Sequence, residues 1–340
     1  MQFKNMVFFI FRTSILMRAT FFLIISMLSF TDVAKASTFP KIMTITIGHD
    51  KKFSFFTSEK NKNTPYKHLL IGINGYPRDA NLLFNALYKA TTVSNRNSDT
   101  LIIIPIFQVP EKQALACRTT NMPVAKADDL LWQCKSWYQG ALASNLPVSS
   151  FTAMDTLIQQ LLKQMPTIKN VTVAGFSAGG QFVQRYVGFA HFQNSFDKIH
   201  YIVADPSSFL YWDSFRPVSS SQPCSNANQW KYGLENLPAY LPQDRSKARQ
   251  NYINANIDYL EGALDQGTSI KAAYHSLDKS CAARLQGEYR LDRGMHYANY
   301  DKDKLAHGTH KLTIIPDCAH SAYCVFTSQK GRAILFKEIQ

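Results

Sequence analysis

The sequence predicts an α/β domain, a mostly parallel sheet flanked by helices, and three observations carry that expectation. Apolar, β-rich runs alternate with helical patterns along most of the chain, the order that parallel strands and crossover helices require. Several of those runs are continuously apolar, as strands buried on both faces must be. The 340 residues are 46% hydrophobic and 18% charged, which suits one large core carrying an insertion.

In chain order the strand candidates are MTITIGH (43–49), HLLIGIN (68–74), TLIIIPIF (100–107), NVTVAG (170–175), IHYIVAD (199–205), ANIDYLEG (255–262) and HKLTIIPD (310–317). Between them DTLIQQLLKQM (155–165) spaces Leu157, Leu161 and Leu162 as one helical stripe, and QFVQRYVGFAHF begins a second helix. Residues 108–150 and 206–250 break the alternation. The first stretch reads as a disulfide-pinned surface loop. The second, rich in Pro, Ser, Gln, Tyr and Trp, follows a strand end where ligand crevices lie, and it reads as a cap or lid. Its aromatics Phe209, Tyr211, Trp212, Trp230 and Tyr232 suit either an apolar acyl group or packing of the cap, and packing is the commoner use.

The N-terminus reads as a secretory signal. Arg18 precedes an apolar run from Phe21 to Phe30, too short for a span of about 20 residues, and Ala34-Lys35-Ala36 forms an A-x-A cleavage site. Residues 1–36 are therefore expected to be removed, leaving 37–340 as the exported domain, periplasmic or secreted. Met17 is a second possible start. Removal takes four basic residues and Asp32, lowering the net charge from +13 to about +10. No Lys/Arg run reaches five residues and no nucleic-acid motif is present, so the charge reads as solvating rather than as a nucleic-acid footprint. No membrane span is expected to survive cleavage. Six cysteines fit disulfides in an exported chain, and proximity suggests Cys117 with Cys134, Cys318 with Cys324 and, by remainder, Cys224 with Cys281. None has the C-x-x-C spacing of a zinc or redox site, and no metal or cofactor is expected.

The chemistry concentrates at NVTVAGFSAGGQFVQRY (170–186). A hydroxyl needs a base to become a nucleophile, so a catalytic serine must project from a rigid, sharply turned backbone. G-x-S-x-G does this at a strand-to-helix turn, and Ser177 has a β run before it and a helical pattern after it. The bland alternative is a polar residue in a tight turn. The helix beginning at Ala178 would aim free amides and its positive end at a developing oxyanion.

With that elbow in place the chain resembles the α/β-hydrolases, whose nucleophile, acid and histidine follow in the order Ser, Asp/Glu, His, over roughly residues 66–336. GINGYPRDA, GFSAGGQFVQRY, LDKSCAARLQG and PDCAHSAYCVF are similar to the exported esterase and polyhydroxybutyrate-depolymerase-like branch. The resemblance implies His320, after the last strand, as the base. It implies Asp265, after the penultimate strand, as the acid, with Asp205 as the main rival and Glu261 and Asp278 behind it. It implies the backbone amides of Tyr76 and Ala178 as the oxyanion hole. Asn74 stands where the family usually has His before Gly75, a change that spares a main-chain donor. His191 on a helix, His200 in a strand, and His296, His307 and His310 in a polar stretch read as structural. The activity implied is hydrolysis of a carboxylic ester, small or polymeric, through an acyl-enzyme. A peptidase or thioesterase on the same triad, and a noncatalytic binding protein of the same fold, stay open, because triad chemistry does not encode the leaving group.

Overall fold

The protein is described by a computed structural model covering residues 40–61, 64–76, 78–117, 122–191 and 199–338. The expected signal segment and both candidate start methionines lie outside the described residues. The elements run β1 (Lys41–Ile47), β2 (Lys51–Thr57), β3 (His68–Ile73), α1 (Ala80–Val93), β4 (Thr100–Ile106) and α2 (Glu111–Ala114). Then follow β5 (Leu142–Ala143), β6 (Leu146–Ser149), α3 (Ser150–Gln164), β7 (Asn170–Phe176), α4 (Ala178–Phe189) and β8 (Ile199–Ala204). The chain closes with α5 (Arg245–Asn254), β9 (Asn256–Gly262), α6 (Cys281–Arg284), α7 (Arg290–Lys304), β10 (Lys311–Ile315), α8 (Ala322–Thr327) and α9 (Gln329–Leu335).

Eight strands form one sheet in the order β1-β2-β4-β3-β7-β8-β9-β10. β2 is antiparallel to both its neighbours, and every pairing from β4 to β10 is parallel. β3, β4 and β7 are apolar on both faces because both faces are covered. Leu69, Ile71, Ile73, Leu101, Ile103, Val171 and Val173 point into one core cluster, while Leu70, Ile102, Ile104 and Ala174 point into the other. That two-residue alternation is the strand period, and it explains continuous apolar runs in place of alternating ones. β2, KKFSFFT, is a strand that the sequence reading did not include, although Phe53, Phe55 and Phe56 are buried. It lies second in the sheet, inside the edge strand β1, and runs antiparallel to the strands on both sides of it.

The expected strands sit within one or two residues of their positions, and α3 begins five residues before the predicted stripe, capped by Ser149, whose hydroxyl accepts the Thr152 N–H at 3.0 Å. His191 lies just past α4, which ends at Phe189, rather than on a helix, and His296 lies on α7. Residues 108–150 hold α2, the β5-β6 hairpin and a short 3₁₀ turn. From 206 to 244 there is no helix or strand among the described residues. Phe209, Tyr211 and Trp212 in that stretch are buried in the main core, where Trp212 packs on Tyr252 and Phe209 stacks on Tyr297. Those rings anchor the segment to the domain. The cysteines pair as Cys117–Cys134, Cys224–Cys281 and Cys318–Cys324, with Cα separations of 5.6, 5.8 and 5.6 Å.

The order of β3, β4 and β7 places a topological switch point at β3. The chain leaves β3 to one side for β4 and returns on the other side as β7, so the loops at their carboxyl ends diverge and open a crevice.

Candidate active site

The triad and oxyanion residues expected from sequence lie beyond the carboxyl ends of β3, β7, β9 and β10, and the rival Asp205 follows β8. Ser177 follows β7 directly and holds φ 57° and ψ −116°, a strained conformation for a residue with a side chain. Packing enforces it. A Cβ on Gly179 would fall 1.9 Å from the Ile73 carbonyl oxygen, and one on Gly175 2.1 Å from the Gly179 oxygen, so the turn can sit this tightly against β3 only with glycine at both places. Behind the turn every one of the twelve residues of α4 is buried, which leaves the elbow no slack.

From this elbow Ser177 Oγ lies 2.9 Å from His320 Nε2, and His320 Nδ1 lies 2.6 Å from Asp265 Oδ2. With Nδ1–H donating to the carboxylate, Nε2 is left to accept the serine proton. The imidazole is held from four directions. Its ring lies 4.7 Å from that of Phe176, the backbone N–H of His320 donates to the Lys271 carbonyl, Asp265 grips Nδ1, and the Cys318–Cys324 disulfide closes the loop around it. Burial, and then Arg290, draw its pKa below the usual 6.5, against the opposite pull of Asp265.

Asp265 is buried and meets a buried guanidinium, Arg290 Nη1, at 3.4 Å. Arg290 also donates to the Ala272 carbonyl at 2.8 Å and to Ser276 Oγ at 3.2 Å, so it joins the carboxylate to the 272–276 turn. Asp205 is also fully buried but points elsewhere: its Oδ1 accepts the Gly262 N–H at 2.8 Å. Burial, then the charge of Asp265, push the Asp205 carboxyl well up, and burial with Asp205 does the same to Glu261. Of the carboxylates weighed from sequence, Asp265 is the one on the imidazole, and Asp278 lies across the cleft bonded to Tyr232.

The two loops that carry the expected oxyanion donors are in contact. Gly75 is so near the elbow that a Cβ there would lie 3.3 Å from the Ser177 Cβ. Ala178 is the first residue of α4, so its N–H has no intrahelical acceptor. The Tyr76 N–H donates to no backbone acceptor among the described residues, while the Tyr76 hydroxyl donates to the Ala116 carbonyl at 3.2 Å. Asn74 is buried and its side-chain amide donates to the Gly75 carbonyl at 2.9 Å, which braces the loop.

Two cavities meet at Ser177. One, of about 490 Å³, lies on the His320 side between Phe176, Leu82, Leu83 and Tyr323. The other, of about 410 Å³, is bounded by Tyr138, Gln181, Lys231, Tyr232, His275 and Asp278. Of the aromatics proposed for the cap, only Tyr232 lines either cavity among the described residues. Arg290, Gln181, Tyr138 and Lys231 are parts of this site that sequence reasoning missed. A lone Arg in a polar stretch and a Gln within a buried helix carry no local pattern that would single them out. Two further His–Asp pairs, His200 with Asp258 and His310 with Asp301, are buried at 2.7 Å each and meet no serine among the described residues.

No family model and no curated protein matches the chain. Among solved structures, poly(aspartic acid) hydrolase-1 from Sphingomonas sp. KT-1 aligns with 88% of this chain and 98% of its own, at a TM-score of 0.60 and 19% identity. The poly(3-hydroxybutyrate) depolymerase LpqC from Bordetella parapertussis aligns with 88% of this chain and 89% of its own, at 0.59 and 17%. At these identities the likeness is one of architecture, and it agrees with the strand order and the strand-turn-helix at Ser177. The chain has the α/β-hydrolase fold.

Proposed function

We propose that this protein is an exported serine hydrolase that cleaves carboxylic esters through an acyl-enzyme. One observation carries the reading: the unbroken chain of hydrogen-bond distances from Ser177 Oγ through His320 to Asp265, 2.9 and 2.6 Å, at the mouth of two cavities. His320 Nε2 takes the Ser177 proton as Oγ attacks the ester carbonyl carbon. The carbonyl oxygen becomes an oxyanion held by the Tyr76 and Ala178 amides, each donor contributing about 3 kcal/mol to the transition state. Asp265 stabilises the imidazolium. Collapse expels the alkoxide, which leaves with the proton from His320, and a water activated by the same base hydrolyses the acyl-serine. Both structural neighbours are named for polymers, poly(3-hydroxybutyrate), which is ester-linked, and poly(aspartic acid), which is amide-linked, and the first of these names supports a polymeric ester among the substrates. Three disulfides support an oxidising compartment, so residues 37–340 act after loss of the leader, with 206–250 as the cap.

A fluorophosphonate probe tests the nucleophile, and a panel of soluble esters, polyesters and peptides tests the bond cleaved. Labelling lost in Ser177→Ala, with esters hydrolysed, is the expected result. Cleavage of peptides with inertness toward every ester would replace the esterase reading with a peptidase.

A further inference from the structure

The 410 Å³ cavity beside Ser177 is surrounded by more cationic charge than its own side chains neutralise. Lys231 stands in its wall and Lys135, exposed, at its rim. Beneath them two guanidiniums are fully buried. Arg185 donates to the Lys231 and Tyr138 carbonyls, to Gln181 Oε1 and to Ser208 Oγ, each at 3.3 Å. Arg293 donates to the Gly287 carbonyl at 2.8 Å, the Glu288 carbonyl at 3.4 Å and the Ser207 carbonyl. All these acceptors are neutral. Among the described residues no carboxylate comes within ion-pair distance of either guanidinium. Burial draws both down to about 10, so both stay charged at neutral pH.

The one acid lining this cavity is already committed. Asp278 accepts the Tyr232 hydroxyl at 2.7 Å and the Ser280 N–H at 3.1 Å, and it pairs with Lys231 at 3.3 Å. Burial alone would raise its pKa, but Lys231 and the two hydrogen bonds outweigh it and hold the carboxyl at about 2. One carboxylate in the lining thus faces four cations, and Asp292, outside the lining, adds a weaker pull on Arg293. A buried charge without a counter-ion is costly, and low-dielectric walls focus its field into the open space beside it. Gln181 and Ser207 form part of the cavity lining and are themselves bonded to the two guanidiniums, so the positive potential converges next to the nucleophile.

We infer that this cavity is an anion subsite and that the preferred ester carries a carboxylate on the part that lies in it, as a dicarboxylic monoester or an acidic oligoester does. The inference rests on the hydrolase reading above and names its substrate class. Lys135 and Lys231 are specificity-determining residues, with Arg185 and Arg293 supplying fixed background charge. The cavity on the His320 side of Ser177, where Phe176, Leu82 and Leu83 lie, is left for the uncharged portion.

The experiment compares monoethyl and diethyl esters of succinate, glutarate and adipate, with ethanol release measured at low ionic strength. At one chain length or more, the monoester is expected to exceed its diester by about tenfold in kcat/KM, a difference of ~1.4 kcal/mol, carried in KM and reduced by salt. Lys135→Gln alters an exposed side chain, so it folds, and it lowers that preference. Lys231→Met lowers it further. Diesters cleaved as well as monoesters at every length, with a ratio indifferent to salt and to Lys135→Gln, would overturn the anion subsite while leaving the hydrolase intact. Wild type inert to both series and to p-nitrophenyl acetate, or equalled by Ser177→Ala, would remove the hydrolase reading itself.

Discussion

His320 carries the pH dependence of the proposed reaction, because only a neutral imidazole can take the serine proton. Burial first, and Arg290 second, hold its pKa below 6.5. More than half of the base is therefore neutral at pH 6.5. The expected kcat/KM rises with pH through a midpoint below 6.5 and levels off above it. Arg290→Met removes a cation that opposes protonation, so the acid limb moves to higher pH. A purely structural role for Arg290 would lower the melting temperature and leave the limb where it was. The pH profiles of wild type and variant distinguish the two. At this scale the sequence exposed Ser177 by its glycine-flanked elbow, while His320 and Asp265 came from the family resemblance, and the three lie in one chain of hydrogen-bond distances. The sequence hid the residues whose role comes from distance in the chain. Arg290 reaches Asp265 across 25 residues, and Lys231 reaches Asp278 across 47, and nothing in their neighbouring residues records either contact.

At the scale of elements, the elbow and the histidine loop are each fixed by a local constraint that a substitution can test. Gly179→Ala places a methyl group 1.9 Å from the Ile73 carbonyl oxygen, so either β3 or α4 must shift. Overpacking of this kind costs about 1–3 kcal/mol. Thermal unfolding should show that loss, and esterase activity should fall by more than stability does, because the shift moves Ser177 relative to His320. Replacing Cys318 and Cys324 by alanine opens a ring of six residues' separation, a chain-entropy effect of about 2 kcal/mol. Lower kcat with folding retained is the expected outcome at pH 7. Unchanged kcat would show that Phe176, Asp265 and the Lys271 carbonyl are enough to hold the ring. The strands of this sheet were readable where both faces were apolar and β-branched, as in TLIIIPI of β4. β2 escaped because Lys51 and Lys52 and the two serine and threonine positions dilute its three phenylalanines, and only pairing with β1 and β4 makes it a strand. α5 and α7 escaped because their surfaces are strongly polar and neither buries an aliphatic stripe: α5 buries only Ala248 and Tyr252, and α7 buries two arginines and two tyrosines with a single leucine, Leu291.

For the whole molecule, the long segment from 206 to 244 is held by buried aromatic rings and by a disulfide rather than by regular structure. Cys224–Cys281 spans 57 residues and ties that segment to the loop carrying Asp278, beside the cationic cavity. Its chain-entropy contribution is about 4 kcal/mol, the largest of the three. Reduction is therefore expected to lower the melting temperature. A Cys224→Ala/Cys281→Ala variant should be less stable than one lacking Cys318 and Cys324, and six free thiols in the native protein would refute the framework. Sequence reading separated this segment from the rest by its Pro, Ser and Tyr content and expected most of its aromatics to pack, but did not single out Phe209, Tyr211 and Trp212 as the ones that turn inward. Composition alone does not show which aromatics face the domain and which face a substrate.

The central claim is that Ser177, His320 and Asp265 act as one catalytic unit. The measurement that tests it most directly is kcat for a soluble ester with purified wild type and Ser177→Ala, alongside the melting temperature of each. The expected result is a fall of roughly five to six orders of magnitude with the melting temperature retained. Ser177→Ala with wild-type turnover would contradict it.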